Sequence, residues 1–416
     1  MAIVVGAIYS NIELMIFIKL SNQFLSLINS IFFIFFYIMK TLVIILCETR
    51  THELTFENFK KNVIDVLNAD LCLCIGVKPD YDYENPFYKL AKYKFLYNED
   101  EDYSGAFDYA YNLIKKPKYE VLNNINALYN KIQHPKQSTD NITYYGTIQD
   151  NINNLLNNNF NDDEIVIHTN NFFLNEWKNQ IYGIKNSDNN NNLIIQNDII
   201  TLKKPLNWRE FLKIKDQFMG GIKDNDNEHP GSAGILIFYR WFLLKNLIDN
   251  NLIDEYDRFV ITRSDYIYKL PHPKVERMSI NNIWIPNGEK YQGYTDRHVI
   301  LSKTNIISYL NILNMMVLKS NEYFHKMKNY NSWNLEQLIK FHLQQNNVEY
   351  LIKEFPYVMY TCRNHNGNSR WTLGYYSEQL GYYIKYPTEY NQSEEYLTIF
   401  NNSGLTIDEF YKDLYN

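Results

Sequence analysis

Cysteine is nearly missing from this 416-residue chain. The four present, Cys47, Cys72, Cys74 and Cys362, fall at spacings that resemble no zinc site. They read as reduced core residues of a non-oxidising compartment. The thiols of Cys72 and Cys74 are expected on opposite faces of one strand. A surplus of positive charge is missing as well: 41 Lys and Arg stand against 47 Asp and Glu, a net charge of −6. Such a chain has no general attraction for a phosphate backbone, which excludes a sequence-independent DNA or RNA binder. No internal repeat is visible. Small-residue cleavage signals are absent near the N-terminus, which argues against a cleaved signal peptide. The acidic pairs Asp80-Tyr-Asp82, Asp100-Glu-Asp102 and Asp224-Asn-Asp226 do not directly follow a buried strand, so they read as solvated loops.

Apolar and aromatic residues are abundant. The chain is 45% hydrophobic and 16% aromatic, with 36 Tyr and 24 Phe, enough for a sizeable packed core. Residues 1–39 form a hydrophobic N-terminal extension. Its most apolar part, 24–39, would rise about 24 Å as a helix, short of a bilayer's ~30 Å hydrocarbon core. Met39-Lys40 leads at once into the strand-like run Thr41–Cys47, without the flexible stem usual after an anchor. The extension is therefore read as lying upstream of a true start at Met39, as a single-pass anchor, or as a buried or interfacial helix. Membrane contact is expected only through it, and the rest is expected in a cytoplasm.

Residues 40–416 are expected to form one α/β domain, with a variable Asn-rich insertion at about 137–204. Thr41–Cys47 reads as a buried parallel strand. A helix capped by Thr55 follows, carrying Phe56, Phe59, Val63 and Leu67, and then a strand at Asp70–Val77. Strand, helix and strand make the βαβ unit of a doubly wound sheet. Further helices are expected over 103–135, 209–219, 231–247, 303–329 and 333–346. Strands are expected at 165–168, 193–195, 257–268, 283–285, 299–302, 348–352 and 357–361.

The strand beginning at Asp257 reaches the charged triplet Arg263-Ser264-Asp265. A carboxylate at a strand tip is a common way to hold a metal and a phosphate, and Arg263 is placed to contact phosphate or to pair with Asp265. Gly293-Tyr-Thr-Asp296-Arg297-His298 is a second polar cluster. Asp296 suits a general base or metal ligand, Arg297 a phosphate clamp, and His298 a contact to donor or metal. Glu336 lies in the first turn of a helix, where a carboxylate serves either the dipole or a pocket; His342 reads as core-facing. Arg363, His365 and Arg370 are basic residues of a late polar loop. The loop Glu48-Thr49-Arg50 after the first strand is assigned to the donor.

Arg263-Ser-Asp265, Trp284-Ile-Pro286, Gly293 to His298, and Asn334-Leu-Glu336 with a later His342 resemble a poorly characterised family of glycosyltransferase-like proteins. Its members occur in giant DNA viruses, bacterial polysaccharide clusters and some eukaryotes. The resemblance covers roughly 205–370, and 41–77 only as a generic nucleotide-binding half. It implies a GT-A-like fold, a doubly wound mixed sheet flanked by helices. It also implies an enzyme that moves a sugar from a nucleotide-sugar donor to a glycan or glycoprotein hydroxyl, with Mn2+ or Mg2+ on the diphosphate. By that analogy Asp265 stands at the metal position, and Asp296 and Arg297 in the active-site loop. The triplet departs from the pattern by beginning with Arg263, which implies a weakly held metal or a guanidinium in its place. The alternative is a non-catalytic carbohydrate-binding or virion-associated protein on the same fold.

Overall fold

Seven consecutive residues from Thr41 to Cys47 form strand β1, and all but the last are buried. Alternate side chains serve two cores. Leu42 and Ile44 pack with Phe107, Trp208 and Phe238 on one face; Val43 and Ile45 pack with Phe59, Val63 and Tyr268 on the other. A strand buried on both faces reads as an unbroken apolar run, as this one does. The computed structural model describes residues 39–114, 206–214, 217–224, 227–330, 333–365 and 373–415, together with three strands of the insertion. The extension before Met39, most of the Asn-rich insertion and Arg370 lie outside the described residues. Thr41–Asn416 forms one compact unit. Among the described residues, no helix is long and apolar enough to cross a membrane.

β1 is joined in the main sheet by β2 (Asp70–Val77), β3 (Tyr93–Asn98), β4 (Arg258–Thr262), β5 (Ile283–Pro286), β6 (Val299–Ser302) and β7 (Ile352–Phe355). Their spatial order is 3-2-1-4-6-5-7. β1, β2, β3 and β4 are parallel, β6 runs against both its neighbours, and β7 is parallel to β5. The protein is thus an α/β molecule with a mixed sheet. Helix α1 (Ala233–Asp249) packs on β1 and β2. Helix α2 (Leu335–Gln345) and helix α3 (Pro387–Ser403) complete the frame used below. A smaller four-stranded sheet holds Tyr266–Tyr268, Met359–Arg363, Tyr382–Ile384 and Tyr375–Ser377, in that order.

Several expectations are corrected. The run from Asp257 to Tyr268 is two strands, not one. The chain leaves the main sheet after Thr262, turns through Arg263-Ser264-Asp265, and pairs Tyr266–Tyr268 with Met359–Thr361 instead. Cys72 and Cys74 share one core layer, because two residues is a full strand period. Thr55 does not cap its helix; it lies inside the helix and donates back to the Thr51 carbonyl at 3.0 Å. The segment 209–219 makes two 3-10 turns, Trp208–Lys213 and Gln217–Met219, with Ile214 extended between them. The span 303–329 is three short helices, broken at Asn311 and Lys319. Glu349–Leu351 is a 3-10 turn and the late strand begins only at Ile352. In the insertion, Glu164–His168 and Leu193–Gln196 are strands as expected, and Ile199–Lys203 joins them as an unforeseen third.

Candidate active site

The strand order reverses between β1 and β4, and ligands of open α/β sheets bind at such a switch point, beyond the carboxyl ends of the strands. A cleft of about 780 Å³ opens there. β1 ends on Cys47 at φ +80°, and Thr51 has φ +61°. Side chains other than glycine rarely adopt that region, so Glu48-Thr49-Arg50 is held in a constrained turn. Buried Ser264 holds it to the tip of β4. Its hydroxyl accepts from the Arg50 amide at 3.0 Å and donates to the Glu48 carbonyl at 3.0 Å. One side chain thereby ties together the two loops that carry Arg50, Arg263 and Asp265.

Asp265 is 1% exposed and surrounded by guanidinium groups. Arg263 donates to both its oxygens, Nε to Oδ1 at 2.8 Å and Nη2 to Oδ2 at 2.9 Å. Arg363 reaches across from the smaller sheet to bond Oδ2 through Nη1. Arg50 Nε lies 3.9 Å from Oδ2. Burial alone would raise the Asp265 pKa; Arg263, Arg363 and Arg50 outweigh it and hold the carboxyl well below its usual range. Lys385 stands in the same wall. Burial, and then the repulsion of Arg363, Arg263 and Arg50, pushes its ammonium down to about 8. This end of the cleft holds four cationic side chains against the carboxylates of Asp265 and Glu48, and Glu48 is itself paired with Arg50.

The opposite wall is built by the loop 287–298 and the start of α2. Tyr291 and Gln292 both have positive φ, 43° and 67°, and Gly293 closes the turn by donating to the Lys290 carbonyl at 2.8 Å. Asn334 caps α2, accepting from the Gln337 amide at 2.8 Å, and its own amide holds the Tyr291 carbonyl at 3.0 Å. The Tyr294 amide donates to the Glu336 carbonyl at 3.1 Å. These bonds place Asp296 and Glu336 in one wall. Burial, then the Asp296 charge, raises Glu336 to about 7. A Cβ on Gly293 would lie 2.0 Å from the Glu336 carbonyl carbon and oxygen. Gly293→Ala is therefore expected to push α2 away from the loop, destabilise the fold by about 1–3 kcal/mol, and displace Glu336. Urea unfolding reads the first effect. An unchanged midpoint would show that the loop yields without cost.

Arg297 lies beneath this wall. It pairs with fully buried Glu389 of α3 and stacks over the Tyr386 ring at 4.4 Å. Its Nε sits 3.6 Å from an Asp296 oxygen, yet among the described residues neither Nε nor Nη2 has a hydrogen-bond partner. Arg363 Nε is likewise buried without one among the described residues. Arg240 of α1 donates to the Asp296 carbonyl at 2.8 Å, which fixes the loop from below.

The cleft gathers Glu48, Arg50, Arg263, Asp265, Asp296, Arg297, Glu336 and Arg363 from segments far apart in the chain. Two expected site residues do not line it. Thr49 turns away to meet the Tyr81 hydroxyl at 2.7 Å. His298 is fully buried behind β4, against Thr262 at 2.9 Å and His272 at 3.2 Å, and burial followed by the His272 charge pushes its pKa well below the usual value. Residues 296–298 precede β6 outside any strand, and the chain turns His298 inward as it enters the sheet at Val299. His342 is core-facing as read, bonded to the Ser308 carbonyl at 2.7 Å. Sequence reasoning missed Ser264's clamp, and Arg240, Lys385, Tyr386 and Glu389 altogether.

Both Asp265 oxygens already accept from guanidinium groups, so a cation there would compete with Arg263 and Arg363 for them. Among the described residues, no three of His, Cys, Asp and Glu gather where they could hold a metal ion. Compared with protein-family models, curated proteins and solved structures, the chain matches none.

Proposed function

We propose that the cleft transfers a sugar from a nucleoside-diphosphate donor to an acceptor hydroxyl, on a GT-A-like fold. The observation that carries this reading is the convergence of a cationic wall and a carboxylate pair on one cavity at the sheet's switch point. The mixed sheet with its reversed sixth strand supports the fold assignment. In a direct displacement, the acceptor O–H yields its proton to a carboxylate of the Asp296–Glu336 pair. Its oxygen forms the new bond to the anomeric carbon. The bond from that carbon to the diphosphate oxygen breaks, and the electron pair stays on the leaving diphosphate. A base with a pKa near the working pH is suited to the first event. Preorganised cations at the leaving oxygen are suited to the last.

The test is incubation with a panel of UDP- and GDP-sugars, with and without hydroxyl acceptors, and with Mn2+ or Mg2+ supplied. Release of the nucleoside diphosphate is the readout. Turnover above the uncatalysed rate with at least one donor is expected. If no donor is turned over while free sugars bind saturably in calorimetry, the chain is a carbohydrate-binding module and the transferase reading fails.

A further inference from the structure

We infer that the arginine cluster receives the diphosphate directly, with no divalent ion between protein and phosphate. The inference rests on the reading of the cleft as a nucleotide-sugar site.

A bridging Mg2+ or Mn2+ takes one or two carboxylates and then shares phosphate oxygens. The carboxylate at the strand tip already spends three of its roughly four acceptor sites on guanidinium groups, which also offset its charge. Arg263 occupies both oxygens of Asp265, Arg363 shares Oδ2, and Arg50 stands 3.9 Å off. A dication placed there would face three guanidinium groups. The other carboxylate pair, Asp296 with Glu336, is flanked by Arg297 and Arg240, whose positive charges oppose a dication there as well.

What the wall does offer is hydrogen-bond donors. Arg50 and Arg263 line it with side chains 27% and 21% exposed, and Arg363, 2% exposed, has no hydrogen-bond partner for Nε among the described residues. Buried donors left unsatisfied are costly, and a phosphate oxygen satisfies them with charge-assisted bonds. Guanidinium forks match the geometry of phosphate oxygens. Asp265 is then a positioning residue. It fans Arg263 and Arg363 into place, while the cationic surplus of the wall remains for the ligand.

Calorimetric titration of the full chain with UDP, GDP and inorganic pyrophosphate, first in EDTA and then in Mn2+, tests this. At least one nucleoside diphosphate is expected to bind in EDTA, with an affinity that Mn2+ changes by less than about threefold. Pyrophosphate should compete with it. Arg50→Met and Lys385→Met leave the Asp265 pairs with Arg263 and Arg363 untouched, and each should weaken binding about tenfold in EDTA, the factor that corresponds to a lost interaction of ~1.4 kcal/mol. Binding that appears only in Mn2+ overturns the inference and leaves the transferase reading standing. Binding in EDTA that neither variant weakens also overturns it. Silence in both buffers removes the donor reading itself, and the inference with it.

Discussion

Replacing Asp265 with asparagine is expected to destabilise the fold by about 3–5 kcal/mol, because removing one partner of a buried ion pair leaves the other uncompensated. Here three guanidinium groups would be left. An asparagine oxygen can accept from one of them, but its amide would present donors to the next. Donor turnover should fall at least ~10²-fold in parallel, since the cluster proposed to neutralise the leaving group loses its anchor. Reading the residue as a metal ligand leads to a different result, loss of transfer with the fold intact. The linkage gives a second check. The folded-state pKa of Asp265 is depressed below its unfolded value of 3.8. The folded state therefore binds fewer protons, and the contribution is complete above about pH 4 and lost as the pH falls below it. The wild type should lose stability on acidification faster than Asp265→Asn does. Urea midpoints at pH 7 that coincide for the two proteins would refute the role given to this carboxylate.

How much of this was legible in the sequence follows from the range of each interaction. β1, β2 and the core of β4 are buried on both faces, so their composition alone marks them. Arg263 and Asp265 are two residues apart, and their pairing is a local matter. Arg363 was readable only as a base in a polar loop. Its approach to Asp265 depends on Tyr266–Tyr268 pairing with Met359–Thr361, which no local pattern announces. Lys385 and Tyr386 reach the cleft, and Glu389 reaches Arg297 beneath it, through the same small sheet and the start of α3. Ser264 lay in view inside the triplet, but its role is to join two loops 214 residues apart in the chain. His298 shows the opposite failure. In sequence it forms one cluster with Asp296 and Arg297, although it directly precedes β6 and turns into the core where the chain enters the sheet. The broken helices of 306–327 were hidden because apolar residues crowd every side of that span: Leu310, Ile312, Leu313, Met315 and Met316 are all buried.

Glu336→Gln should move activity and stability in opposite directions. As the proposed base of the acceptor step, Glu336 has to be ionised, so turnover in the wild type should rise with pH through about 7. The glutamine variant should lose about 10²–10⁴ of the rate, and that limb of the profile with it. Stability follows from the same shift with the other sign. Burial, then Asp296, raises the folded pKa above the model-compound value of 4.5. The folded state then binds the extra proton, and the stability this proton confers is full below about pH 4.5 and lost as the pH rises through about 7. At pH 8 the wild type carries an ionised, partly buried carboxylate beside a second one. Glutamine removes that charge in the same volume and should stabilise the fold by about 1–3 kcal/mol at pH 8, with little change at pH 5. A merely structural Glu336, held for its place in the first turn of α2, predicts a loss of stability at both pH values. A buried acid with no part in transfer predicts the gain without the kinetic loss. Only a base kept in an unfavourable site for the sake of its pKa gives both, and a catalytic group set at the edge of stability is what the trade between activity and folding leads one to expect.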